Sequence, residues 1–263
     1  MFGLFAKKLP IDEDEFEWIC ACCKWFSQEF DGMDRLRRTP TILANSTFFP
    51  RSTLIGEDRA KEIFQQVAVH AGLADWPCVL EPYDGERPTE VGPGLGLRHT
   101  SEPSPAGTFS YEDGQYRIRY DFALLQRPHD LIATFAHELS HYLLHSTQSL
   151  PPGGEELEEH ATDLGAVFMG FGGFMTNSAR NFSQFQTAES QGWENRQQGY
   201  LSELALTTAY ALMTLLTNAD RSLAMNELKP YLQKPFKSAL QGIEKRLPDL
   251  AASIEAIDLN EWI

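Results

Sequence analysis

His137, Glu138 and His141, in the string Ala136-His137-Glu138-Leu139-Ser140-His141, are the residues of this chain whose types and spacing could do chemistry. On a helix, positions four apart share a face. Two imidazoles stacked in this way reach one metal ion, and the glutamate beside them reaches a water on that metal. This is the mechanical content of the His-Glu-x-x-His zinc pattern, with the metal as Lewis acid and the glutamate as general base. A string this short also recurs by chance. Its meaning depends on whether the rest of the chain supplies a third ligand and a scaffold.

A catalytic zinc takes a third protein ligand and leaves its fourth position to water. His145 lies roughly 12 Å along a helix from His137, too far for the same ion. The metzincin pattern needs Gly at 144 and His at 147, where this chain has Leu144 and Thr147. After the break at Pro151-Pro152-Gly153-Gly154, a helical pattern runs from Glu155 to Phe168. A helix hairpin would bring it back beside the histidines. Leu157, Ala161, Leu164 and Phe168 form one side of it. Glu159, Asp163, Ala166 and Gly170 form another, where the two small residues would allow close approach to a neighbour. Glu159, His160 and Asp163 are all candidates for the third ligand. A solvated acidic first turn explains Glu155, Glu156 and Glu158, but Asp163 falls within an apolar stretch, and a buried carboxylate needs a partner.

Glu159 and Asp163, with Glu159 placed 18 residues beyond His141, resemble the E-x-x-x-D element of the gluzincins, the thermolysin-like superfamily. The stretch from His137 to His145, with Glu158-Glu159-His160-Ala161, is similar to the small gluzincins and the ImmA/IrrE-type metallopeptidases, over roughly residues 107 to 176. It departs from the latter in reading Glu-Glu-His-Ala-Thr-Asp where Glu-Glu-x-Ala-Asn is usual. The resemblance implies zinc held by His137, His141 and Glu159, with Glu138 as general base. It implies that Asp163 hydrogen-bonds the distal nitrogen of His137 and fixes its orientation. It also implies a peptide or protein substrate, added as an extended strand along the edge of the 115–122 segment. Gluzincins often supply a downstream His or Tyr for the oxyanion. No His follows His160, so Tyr142, Tyr200 and Tyr210 are the candidates.

The elements that must position these residues are legible as patterns. Pro128 suits the first turn of the histidine helix and Asp130 its cap. Leu131, Ile132, Phe135, Leu139 and Leu143 form an apolar face from which the histidines point away. Upstream, 108–111 and 115–122 read as strands joined by Glu112-Asp113-Gly114, and 76–80 as a short strand. Helices are expected over 11–30 and 57–70, the latter ended by Gly72, with 39–50 a loop or short strand. Residues 81–107 read as a long surface loop; its Gly92-Pro93-Gly94-Leu95-Gly96 lacks the ending of a phosphate loop, and its His99 reads as solvated. His70 reads as a partner of a helix C-terminus. Residues 177–198 are polar and expected on the surface. A buried helix follows over 201–216, then short helices broken at Pro230 and Pro235 and an amphipathic tail. The expected fold is α+β: a small antiparallel sheet against an active-site helix and a glutamate helix. Mainly helical regions, 1–80 and 177–263, would flank a zincin-like core over 81–176.

Composition limits the rest. A formal net charge of −15 argues against non-specific nucleic-acid binding and against docking on anionic membranes. The longest apolar run, 164–175, is too short to span a bilayer, and the start of the chain has no signal-peptide pattern. A cytoplasmic protein is expected. Cys20, Cys22, Cys23 and Cys78 lack metal-ligand spacing and read as reduced thiols. Nothing bears on the oligomeric state. The leading expectation is a zinc metallopeptidase. The rivals are a zinc-binding regulatory or interaction protein with little turnover, and a helical structural protein carrying the motif by accident.

Overall fold

The computed structural model describes residues 8–83, 106–186 and 201–262, and among these ten α-helices and three strands make a mixed helix-and-sheet protein. The helices are α1 (Glu13–Glu29), α2 (Gly32–Leu36), α3 (Gly56–Ala71), α4 (Pro128–Leu144), α5 (Glu158–Ala166), α6 (Gly172–Gln186), α7 (Glu203–Leu216), α8 (Arg221–Asn226), α9 (Pro230–Arg246) and α10 (Leu250–Glu255). The strands are β1 (Val79–Tyr83), β2 (Gly107–Glu112) and β3 (Gln115–Asp121). The glycine-rich string at 92–96 and His99 lie outside the described residues. No helix among the described residues is long and apolar enough to cross a membrane.

The sheet differs from the expected antiparallel one. Its order is β1-β3-β2, with β2–β3 antiparallel and β1–β3 parallel. The hairpin at Asp113-Gly114, both at positive φ, folds β3 back into the centre, and its second edge takes β1 in the same direction. The first strand also begins later than the pattern suggested. Trp76 closes a turn onto the Leu73 carbonyl (3.1 Å) and packs edge-on against Tyr142, so pairing starts at Val79. Pro82 is tolerated because β1 is an edge strand.

The alternation of β3 turns Ile118 and Tyr120 onto α4, where Tyr120 meets Phe135 edge-on at 5.4 Å. Phe135 is fully buried; a side chain of this size contributes about 1.5–3 kcal/mol on burial. Helix α4 is buried almost all round, because α3, α5, α6 and the sheet surround it. Its capping differs from expectation. Arg127 occupies the cap position without a side-chain capping bond, whereas Asp130 is buried, pairs with Arg127 at 3.2 Å and accepts from Ser178 Oγ of α6 at 2.9 Å.

Two glycines set how α5 and the turn after it pack, and only one of them faces α4. A Cβ at Gly165 would overlap the Ser140 hydroxyl, so Gly165, not Ala166 or Gly170, lets α5 press against α4. Gly170 (φ 103) instead faces the 39–50 segment, giving its carbonyl to Ile42 N–H at 3.0 Å. That segment is a loop. The kink at Gly170 does not end the helical run, which resumes at once as α6, so residues 177–186 are helical, with Asn177 and Ser178 buried. Helix α7 is buried on nearly every side, as expected. Pro230 starts α9 and Pro235 lies inside it without breaking it. The core cluster extends from Leu9 to Ile254 and draws on all three expected regions.

Candidate metal centre

The central part of α4 places His137 and His141 one turn apart, their rings edge-on at 4.7 Å. Their Nε2 atoms lie 3.1 Å apart. From the start of α5, Glu159 brings Oε2 to 3.5 Å of His137 Nε2 and Oε1 to 3.4 Å of His141 Nε2. The ligand atoms of these three residues all lie within 4.8 Å of one another, and the group could hold a metal ion.

The Nδ1 atoms are engaged elsewhere, and this is what aims the Nε2 atoms inward. His137 Nδ1 donates to Asp163 Oδ1 at 3.0 Å. Asp163 is wholly buried, and its Oδ2 accepts from the backbone N–H of Leu201 at 2.8 Å. His141 Nδ1 meets Thr162 Oγ1 at 3.3 Å, while the Thr162 hydroxyl donates to the Glu158 carbonyl at 2.9 Å. Thr162 is therefore left as an acceptor for an Nδ1–H. With Nδ1–H spent on these acceptors, Nε2 is the nitrogen left to each ring for binding a metal. Two Nε2 atoms and a carboxylate facing one point make a donor set that fits zinc once the Nε2 protons are released.

Without a metal the neighbouring carboxylates favour the protonated His137 ring, whose Nε2 proton a bound cation would displace. Burial pulls the His137 imidazolium down, but the hydrogen-bonded carboxylates of Asp163 and Glu159 outweigh it and push it up to about 10. Burial raises the Glu159 carboxyl, yet its hydrogen bonds to His137 and His141 hold it well below the usual carboxylate range. The uneven exposure gives the group a floor and a mouth. The side chain of His137 is 4% exposed, that of His141 18% and that of Glu159 44%.

Glu138 is 3% exposed and lies beside the first residue of β2. A Cβ at Gly107 would come within 2.7 Å of Glu138 Oε1 and 2.6 Å of Thr134 Cγ2, so only glycine leaves the carboxyl its place. Burial raises the Glu138 carboxyl against the pull of His137 and His141, and the charge of Glu159 adds to the rise.

The remaining candidates lie elsewhere. His160 turns toward Trp18 of α1, 6.1 Å away, and Asp163 braces His137 instead of joining the three-residue group. His145 is exposed past the end of α4. His70 meets the Phe48 carbonyl at 2.8 Å. The Tyr142 hydroxyl donates to the Pro77 carbonyl (3.1 Å) and that of Tyr210 to the Ala224 carbonyl (3.4 Å), so neither is aimed at the group; Tyr200 lies outside the described residues. Strand β3 is central and has no free edge, and the strand beside α4 with an edge unpaired among the described residues is β2. All four cysteines are free thiols, and burial pushes Cys20 up to about 12 and Cys78 up to about 11.

Sequence reasoning did not single out Thr162, Leu201, Gly107 or Phe109, whose ring stacks parallel to His141 at 6.3 Å. Nor did it find Tyr83, whose hydroxyl is buried without a hydrogen-bond partner among the described residues. Burial and the charges of Asp121 and Glu138 push that hydroxyl upward. No protein-family model, curated protein or solved structure matches this chain.

Proposed function

We propose that the chain is a zinc-dependent metallopeptidase of gluzincin type, with His137, His141 and Glu159 as zinc ligands and Glu138 as general base. One observation carries the reading: both histidine Nδ1 atoms are committed to acceptors on α5, so both Nε2 atoms and Glu159 converge on one point. Zinc bound there would supply a Lewis acid for a peptide carbonyl and lower the pKa of a bound water toward neutrality.

The chain's own residues do the rest. Glu138, sheltered between α4 and Gly107, accepts a proton from the attacking water and returns it to the leaving amine. Its raised carboxyl suits that exchange better than an ordinary glutamate would. Asp163 and Thr162 hold the ligand rings in place while the proton moves. An extended peptide adds along the edge of β2 that is unpaired among the described residues, in place of the 115–122 strand expected from sequence. The test is hydrolysis of a panel of folded and unfolded proteins by wild type and by Glu138→Gln at equal zinc content. Cleavage by wild type alone supports the reading; equal inertness sinks it.

A second reading is a zinc-binding regulatory or interaction protein with little turnover. It is favoured by the tyrosine hydroxyls, since those of Tyr142 and Tyr210 are spent on backbone carbonyls elsewhere. It predicts zinc uptake without cleavage of any member of the panel.

A further inference from the structure

We infer that the backbone N–H of Leu201 positions the metal ligand His137 through Asp163, so that docking of α7 and metal binding are coupled. The inference rests on the metal reading above.

Asp163 is the meeting point of three chain segments. It belongs to α5, its Oδ1 accepts from His137 of α4 at 3.0 Å, and its Oδ2 accepts from Leu201, just before α7, at 2.8 Å. A carboxylate held at one oxygen can still turn about its Cβ–Cγ bond, because terminal torsions of this kind are broad. Donors on both oxygens fix its plane. The Leu201 N–H therefore decides where Oδ1 points, and Oδ1 decides where the His137 ring points and which nitrogen keeps the proton. Wholly buried, Asp163 has no water to replace a lost donor.

The Leu201 N–H is itself set by α7. Leu201 is buried, Ser202 caps the helix by accepting from Ala205 N–H at 3.1 Å, and the Ser202 carbonyl accepts from Leu206 N–H at 3.0 Å. Helix α7 is in turn pressed against α6, where a Cβ at Gly172 would overlap the Tyr210 ring. His141 has no such extension among the described residues. Its brace, Thr162, ends on the Glu158 carbonyl within α5. One of the two histidine ligands is thus held within the helix hairpin, and the other depends on α7. Linkage makes the dependence mutual: whatever factor α7 docking adds to metal affinity, the metal adds to α7 docking.

The test replaces Leu201 by its α-hydroxy acid, which exchanges the N–H for an ester oxygen and keeps the side chain. Zinc affinity is read by competition with a chromophoric chelator, beside the melting temperature of the metal-free protein and the His137 Nδ1–H resonance. The expected result is a fall in zinc affinity of about 10–100-fold, the usual cost of a lost supporting partner, with a weakened Nδ1–H signal. A purely structural role would lower the metal-free melting temperature and leave zinc affinity alone. Ser202→Ala, which loosens the start of α7 without touching Asp163, is expected to reduce zinc affinity more modestly. Added zinc is expected to slow hydrogen exchange at the Leu201 amide. If wild type binds zinc but the ester variant binds it within twofold of wild type, and zinc leaves Leu201 exchange unchanged, the coupling is overturned. If wild type takes up no zinc at all, the metal reading itself has failed.

Discussion

Two networks of charged side chains lie on opposite sides of the sheet. Toward α4 and α5, His137, Asp163 and Glu159 form a cluster whose floor is sealed, with Asp163 wholly buried. On the other face, Arg119 reaches Glu112 at 2.8 Å and Glu81 at 3.2 Å, Arg117 also pairs with Glu81, and all four side chains are at least one-fifth exposed. The outer network has the more regular ion pairs, yet water can replace any member of it. At the floor of the inner cluster, His137 and Asp163 have only protein to satisfy them, so each must be both paired and aimed. Ion-pair count is a poor guide to which network matters, and burial decides.

Removing a member of each network should expose the difference. The largest effect is expected for Asp163→Ala, which strands His137 and the Leu201 N–H together. Breaking a buried pair in this way costs about 3–5 kcal/mol, read as a loss of unfolding free energy in urea. Next comes Gly165→Ala, which should cost about 1–3 kcal/mol by forcing α5 off Ser140 of α4, with a parallel loss of zinc affinity as Glu159 is carried away. On the outer face, Arg119→Ala should cost less than about 1 kcal/mol, and that cost should shrink further in high salt. Equal losses for Asp163→Ala and Arg119→Ala would erase the distinction.

The smallest effect is expected from pH. Hydrogen bonds from Arg119 and Ser110 hold the Glu112 carboxyl at about 2, below its ordinary 4.5. A depressed carboxyl contributes stability above its ordinary pKa and loses it as the pH falls toward the folded value. The gap in melting temperature between wild type and Glu112→Gln should therefore be full above about pH 5 and close as the pH falls from 4.5 toward 2.

How much of this was legible in sequence follows from how local each feature is. His137 and His141 are one helical turn apart, so their shared face follows from helix geometry alone. Glu159 and Asp163 share a helical face in the same way, and the pairing of Asp163 with His137 followed from a resemblance that supplied the partner. Thr162 was not legible because threonine is an ordinary helix residue until a tertiary contact brings its hydroxyl to His141. Leu201 contributes a backbone N–H, which every residue but proline has, and it acts across 38 residues of chain. Gly165 and Gly170 are both small, and only the packing reveals which one meets α4 and which meets the 39–50 loop. The sheet order was illegible for the same reason: a hairpin pattern pairs β2 with β3 but does not say which strand takes the remaining edge of β3.

The central claim is that α4 and α5 together build one metal centre, and the most direct test is zinc content. Wild type and Glu159→Ala, each incubated with zinc and freed of excess, are compared by elemental analysis. The account predicts about one zinc per chain in wild type, as three protein ligands and an open position require, and almost none in the variant. No zinc in wild type, or as much in Glu159→Ala as in wild type, would contradict it.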